Sequence, residues 1–244
     1  MRLDKYLADA GVGTRSEVKK YIKNKCITVD GVSAEKPEQK VEPGEHVVCF
    51  KGIPVEYEEF SYYLFHKPAG CVTARQDKRD QTVMDYFPAN AGKNLSPVGR
   101  LDKDTEGLLL VTNDGELNHH LMSPAHHVEK TYYAVLDTEI PQEAVTLFAN
   151  GVDIGDDKPT LPAKLTILSP SQPFDEAYTG IGGGHATLTI SEGRFHQVKR
   201  MFAALGCTVV YLKRLSIGAM ELGDVPRGTF RKLTTEEIER LRQL

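Results

Sequence analysis

The sequence predicts an α+β protein in two unequal parts, a small helix–helix–sheet module followed by a larger strand-rich domain. Three observations lead there. Residues 1–58 place two amphipathic helices ahead of short strands joined by tight turns. From residue 59 onward strand patterns recur with helices interspersed, without regular βαβ alternation. A chain of 244 residues suits one large domain or two unequal ones and can bury a core without staples.

In the module, Leu3, Leu7 and Ala10 share one face of a helix over 3–10, which breaks at Gly11-Val12-Gly13. Thr14-Arg15-Ser16-Glu17 reads as a capping box, a hydroxyl at the N-cap and a carboxylate at N3, opening a second helix that runs to about Lys25. Val18, Tyr21 and Ile22 form its apolar stripe, and Arg15, Lys19 and Lys23 fall together on the adjacent side. Cys26 to Val29 is a short strand, and Asp30-Gly31 is a hairpin turn. Glu42-Pro43-Gly44-Glu45 turns the chain again before a strand from Val47 to Phe50. Residues 58–61 are the expected linker.

In the larger part, residues 59–66 read as a strand stopped by Lys67-Pro68. Further strands are predicted at 106–112, 130–136, 163–168, 185–191 and 208–217, and helices at 141–150, 194–205 and 235–243. Asp114-Gly115 closes a turn, Pro141 suits the first turn of its helix, and Gly206 suits a C′ position. In the helix over 194–205, Phe195, Val198, Phe202 and Leu205 form the buried stripe and Lys199 lies at its margin. Ile181-Gly182-Gly183-Gly184-His185 lacks the lysine and following helix of a phosphate-binding loop and reads as a flexible loop.

Composition narrows the function classes. The chain is 40% hydrophobic and 26% charged, an ordinary soluble composition. Its apolar runs, such as Leu108 to Val111, are far too short to span a bilayer, and the N-terminus lacks the apolar core of a signal peptide, so a cytoplasmic protein with no membrane partner is expected. Cys26, Cys49, Cys71 and Cys207 are scattered singly, which fits a reducing compartment. His119-His120 and His126-His127 are adjacent pairs that do not share a helix face, so no metal site is expected. The net charge of −4 argues against a simple nucleic-acid coat protein. Yet residues 1–25 carry Arg2, Lys5, Arg15, Lys19, Lys20, Lys23 and Lys25 against Asp4, Asp9 and Glu17. Residues 190–214 carry Arg194, Lys199, Arg200, Lys213 and Arg214 against Glu192. Two basic patches on a mildly acidic chain suit local docking on a polyanion, although a charge run is usually a solvated face.

The stretch Gly99-Arg100-Leu101-Asp102-Lys103-Asp104-Thr105-Glu106-Gly107 is a polar loop between two strand-like segments. From residue types alone, Asp102 and Asp104 are turn formers that bond their own backbone. Lys199 can snorkel outward or point inward to a carboxylate.

Two sets of motifs change that balance. R-L-D-K-Y-L, G-V-G-T-R-S and I-T-V-D-G, in that order, resemble the S4-type RNA-binding module over about a quarter of the chain. G-R-L-D-x-x-T-x-G-L-L, K-T-Y-Y, H-K-P-A-G and E-G-R-F-H-Q-V-K-R-M-F together resemble the pseudouridine synthases. The first resemblance implies that Arg15, Ser16, Lys19 and Lys20 face RNA, with Arg2 and Lys5 nearby; Lys23, on the same side of the helix as Arg15 and Lys19, is expected to bind RNA with them. The second implies a mixed, mainly antiparallel sheet with flanking helices over 59–244, the pseudouridine synthase fold, behind an S4-type α/β module over 1–58. It implies Asp102 as the catalytic aspartate, Tyr132 packed against the target base and Lys199 paired with Asp102. Lys67, Arg100, Arg194 and Arg200 would contact RNA. Where many relatives carry arginine this chain has Lys199, which cannot make a bidentate fork.

The implied reaction breaks the N1–C1′ bond of a uridine, turns the base and rejoins it through C5, so no cofactor or metal is expected. Whether the aspartate attacks C1′, adds to the ring or removes the C2′ proton is left open, the family favouring the last. A base inside folded RNA must be extruded first, at a cost of a few kcal/mol. An ionised aspartate in such a pocket needs a cation nearby, a physical reason for an inward Lys199. The branch carrying an S4-type module acts on ribosomal RNA, and the wording of the last motif points to 16S rRNA, by a monomer acting on a small-subunit assembly intermediate. The alternatives are the same chemistry on a large-subunit (23S) uridine, or a non-catalytic S4-type rRNA-binding assembly factor.

Overall fold

A computed structural model of the chain describes residues 1–88, 91–169 and 182–244. The chain divides into two compact units, residues 1–61 with 87–95, and residues 62–86 with 96–244.

The first unit opens with α1 (Leu3–Asp9) and α2 (Arg15–Lys23), followed by β1 (Ile27–Val29), β2 (Val32–Ser33), β3 (Val48–Phe50) and β4 (Ile53–Pro54). The capping box forms: the Glu17 amide donates to Thr14 Oγ1 at 3.3 Å, and the Thr14 amide to Glu17 Oε2 at 2.7 Å. The four strands pair antiparallel in the order β2-β1-β3-β4. Asp30 (φ 50°) and Gly31 (φ 81°) supply the two left-handed residues that a tight hairpin between β1 and β2 requires. Leu3, Leu7, Val18 and Ile22 of the helices bury against Ile27, Val29 and Val48 of the sheet. Arg15, Lys19 and Lys23 are left exposed, as the helical stripe predicts.

The second unit contains β5 (Tyr62–Lys67), β6 (Ser96–Pro97), β7 (Glu106–Thr112), α3 (Gly115–Met122), β8 (Lys130–Leu136), α4 (Ala144–Asn150) and β9 (Lys164–Leu168). After these come β10 (Gly184–Ile190), α5 (Gln197–Ala203), β11 (Val209–Ile217), β12 (Met220–Glu221), β13 (Phe230–Lys232) and α6 (Thr235–Arg242). Among the described residues the strands make a nine-stranded sheet with the path β13-β5-β7-β11-β8-β10-β9. All pairs are antiparallel except β7 with β11, so the mixed, mainly antiparallel sheet is observed. At that parallel junction Gly107 (φ 107°) faces Arg214, and a Cβ there would lie 2.2 Å from the Arg214 carbonyl oxygen. Only glycine permits β11 to approach β7 this closely. One face of the sheet buries Leu64, Leu108, Leu110 and Ile217 against Leu117 and Leu121 of α3 and Leu241 of α6. Phe202 of α5 meets Phe148 of α4 edge-on at 5.2 Å.

Four local expectations change. Asp114-Gly115 opens a helix: Asp114 Oδ1 accepts the Leu117 amide at 3.0 Å and caps α3. Pro141 precedes α4, its carbonyl accepting the Ala144 amide at 3.0 Å. Gly184 and His185, expected in a flexible loop, are buried in β10, while Ile181 lies outside the described residues. The helix predicted over 194–205 begins at Gln197, because His196 takes a left-handed conformation (φ 49°) ahead of it. That turn leaves Phe195 76% exposed, whereas Val198 and Phe202 are buried as expected.

Candidate active site

The loop between Gly99 and β7 is held by three separate grips. Thr73 clamps Leu101: its Oγ1 accepts the Leu101 amide at 3.1 Å and donates to the Leu101 carbonyl at 2.7 Å. The Thr105 amide donates to the Asp102 carbonyl at 3.1 Å, closing a turn over Asp102-Lys103-Asp104. Lys67, at the end of β5, directs its ammonium into the loop's backbone, donating to the carbonyls of Pro68 (3.0 Å), Lys103 (3.3 Å) and Thr105 (2.9 Å). The Gly70 amide adds a bond to the Lys103 carbonyl at 2.7 Å. The H-K-P-A-G segment is therefore a brace for the loop. Lys67 is fully buried, and burial pushes its ammonium below the ordinary lysine range. It does not reach an RNA surface, contrary to the expectation, because its charge is consumed by three carbonyls.

Braced in this way, Asp102 faces an open pocket of about 450 Å³, measured out into its mouth. Arg100, Tyr132, Arg194, His196 and Lys199 line it with Asp102. Tyr132 comes from β8, directly opposite Leu188 of β10 and Arg214 of β11, and is 8% exposed. Lys199 comes from the first turn of α5 and turns inward: its Nζ lies 3.2 Å from Asp102 Oδ2. It sits closer to Asp104, at 2.6 and 2.9 Å from the two carboxylate oxygens. Desolvation pushes the Asp104 carboxyl up, but the hydrogen bond and charge of Lys199 outweigh it and hold that carboxyl below the usual range. Asp104 is therefore an ion-pair partner, not only a turn former.

The other predicted residues separate into two groups. Arg100 is exposed at the pocket. Arg194 and Arg200 are half-buried and occupied by the protein. Arg194 bonds Glu192 (3.0 Å) and the carbonyls of Lys158 (2.6 Å) and Pro159 (2.7 Å). Arg200 bonds the Ile154 carbonyl and Asp156, each at 2.5 Å. These arginines fasten the 154–159 segment beside the pocket, and Arg200 does not line it. In the first unit Arg2, Lys5, Arg15, Ser16, Lys19, Lys20 and Lys23 are exposed, but Arg2 already forks onto Asp4 through two bonds of 2.9 Å.

Sequence reasoning missed His196, whose Nε2 lies 3.4 Å from Asp102 Oδ1. It stood inside the E-G-R-F-H-Q motif, hidden by its assignment to a continuous helix. Thr73 carried no signal, since its role exists only through the fold. Among the described residues no cluster of His, Cys, Asp and Glu is arranged to hold a metal ion, and no helix is long and apolar enough to cross a membrane.

In the second unit a mixed sheet presents a braced aspartate in a pocket lined also by a tyrosine and a lysine, and in the sequence a basic helical module precedes it, a combination in keeping with an enzyme that acts on RNA. Residues 61–204 match the family model described as RNA pseudouridylate synthase, and residues 1–47 match that of the S4 domain. The chain belongs to the RNA pseudouridylate synthase family. An "Uncharacterized RNA pseudouridine synthase YtzG" from Bacillus subtilis is 43% identical over 245 residues, covering 100% of this chain and 99% of the relative. The "Ribosomal small subunit pseudouridine synthase A" of Escherichia coli K12 is 39% identical over 241 residues, 98% of each chain. A crystal structure of a pseudouridylate synthase, 37% identical, superposes with a TM-score of 0.67 over 99% of both chains.

Proposed function

We propose that this protein isomerises one uridine of 16S ribosomal RNA to pseudouridine, with Asp102 as its catalytic carboxylate. The observation that carries the assignment is Asp102 itself, held on a braced loop and open to a pocket shared with Tyr132 and Lys199. Tyr132 presents an aromatic face for the extruded base, worth about 1–3 kcal/mol of stacking. Lys199 places a positive charge 3.2 Å from the Asp102 carboxylate, where it can balance charge as the reaction proceeds. Arg100 and the rim around Arg194 guide the RNA backbone. Residues 1–58 serve as the S4-type RNA-binding module and 59–244 as the catalytic domain. The choice of 16S rRNA is supported by full-length relatives named for the small subunit. The enzyme acts as a monomer in the cytoplasm, on a small-subunit assembly intermediate.

The test is Asp102→Asn with 16S rRNA tritiated at uridine C5, where the rearrangement releases the label. The amide keeps the shape but cannot act as nucleophile or base. Release is expected to vanish while RNA binding stays within a few-fold of wild type. Substantial release by the variant would remove Asp102 from the reaction. Mapping pseudouridine in rRNA from a deletion strain reads the target independently: the loss of a 23S site instead would reassign it.

A further inference from the structure

We propose that Phe195 is a stacking platform for the base adjacent to the extruded uridine, held in position by His196. The proposal rests on the reading of the Asp102 pocket as the uridine site. Phe195 is 76% exposed, the most exposed large apolar side chain among the described residues. It is not a loose side chain. Its ring stacks on the His196 imidazole at 3.8 Å with an interplanar angle of 17°, and His196 Nε2 in turn lies 3.4 Å from Asp102 Oδ1. The residues on either side are fixed. The Arg194 amide donates to Gln197 Oε1 at 2.9 Å, and the Arg194 guanidinium is tied to Glu192 and the Pro159 carbonyl. The left-handed turn at His196 aims the phenyl outward where a helix would have buried it.

A rigid aromatic with one face covered and the other in water is an unfinished stack. Phe195 lies at the rim, outside the residues that line the pocket, so a base inserted beside Tyr132 and Asp102 does not reach it. The nucleotide one step along the strand does. Extruding a uridine strips that neighbour of its stacking partner, and an aromatic platform at the rim replaces the lost contact. The exposed Arg100 at the same pocket supplies a cation for the accompanying backbone, which favours a nucleic acid over an apolar peptide as occupant.

The experiment measures single-turnover tritium release from C5-labelled 16S rRNA at increasing enzyme concentration. Phe195→Ala is expected to raise the half-saturating concentration about five- to hundredfold, with a smaller change in the saturating rate. Phe195→Leu, apolar but without a flat face, follows Ala, and Phe195→Trp restores affinity. Because the chain contains no tryptophan, the indole of Phe195→Trp is a unique fluorophore at the proposed contact and is quenched when 16S rRNA binds. Half-saturation within twofold of wild type for both Ala and Leu variants, or an indole emission unmoved by saturating RNA, overturns the platform. Absence of release by the wild-type enzyme overturns the uridine-site reading instead, and the indole signal still reports stacking in that case.

Discussion

Lys199 reaches Asp104 at 2.6 Å and Asp102 at 3.2 Å, so a single ammonium serves two carboxylates of one loop. The two pairs are not equivalent. The Asp104 side chain is 73% exposed and its attraction is screened by water, whereas that of Asp102 is 29% exposed at the pocket. Asp104→Asn leaves Lys199 to Asp102 alone and is expected to change single-turnover rate by less than about threefold, in line with the small worth of an exposed pair. Lys199→Met removes the charge beside Asp102 and should lower that rate roughly 10- to 100-fold, with RNA affinity changed far less. Lys199→Arg restores most of the rate, because a guanidinium can fork across both carboxylates. A rate for Lys199→Met equal to that of wild type would leave the ammonium with only a loop-tethering role.

Lys67 is the strongest prediction for stability. Its buried ammonium donates to the carbonyls of Pro68, Lys103 and Thr105, of which Lys103 also accepts the Gly70 amide and Pro68 the Cys71 thiol. Lys67→Met keeps the apolar stem, removes all three charge-assisted bonds and takes from the Thr105 oxygen its ammonium donor, at about 1–3 kcal/mol for a group left buried without a partner. A loss of roughly 2–5 kcal/mol is expected in urea unfolding, together with a fall in turnover as the Asp102 turn loosens. A variant as stable as wild type would mean that water replaces the ammonium.

How much of this was legible in the sequence depended on how local each feature is. The Thr14–Glu17 capping box and the Asp30-Gly31 hairpin are made by neighbours in the chain, and both form as read. The long apolar strands β7, β8 and β11 carry enough periodic signal to appear at nearly their observed bounds. β13 is three residues long and is stabilised by pairing Phe230 with Phe65, far away in sequence, so no local pattern announced it. Asp114-Gly115 is equally good as a turn and as a helix opening, and only the packing of α3 against the sheet decides. At the site, Asp102, Tyr132 and Lys199, singled out by the motifs, line one pocket. The reversal of Lys67 from surface contact to buried brace, and of Phe195 from core to rim, arose from tertiary hydrogen bonds and one left-handed residue.

Tyr62 yields a pH prediction. Burial first, and then its hydrogen bond to Asp114 at 2.7 Å, push its hydroxyl up to about 12 from an ordinary value of 10.0. Between those values the unfolded chain has lost the Tyr62 proton and the folded chain retains it. Folding then takes up a proton, so the stability this group contributes is complete below pH 10 and is lost as pH rises through about 12. Urea unfolding of wild type should therefore weaken faster than that of Tyr62→Phe above pH 10, by up to about 1.4 kcal/mol per pH unit. Parallel curves would place the ionisation of Tyr62 at its ordinary value.

The basic face of α2 is tested by salt. Arg15, Lys19 and Lys23 are exposed along one side of the helix, while Val18 and Ile22 hold the other side in the core. Among the described residues the side chains of these three make no hydrogen bond or ion pair, so their charges face solvent. Each phosphate contact contributes about 0.7–0.9 to the slope of log affinity against log salt. Replacing all three by alanine should flatten that slope by about two to three units, while the rate at saturating RNA stays near normal. Arg2→Ala should flatten it less than any one of them, because both nitrogens it directs at Asp4 are already engaged at 2.9 Å. The core of the first unit does not depend on these side chains, so thermal unfolding should be unmoved in the triple variant. A slope unchanged by the triple substitution would make this helix face a solvated surface and shift RNA affinity to the Arg100 side of the catalytic unit.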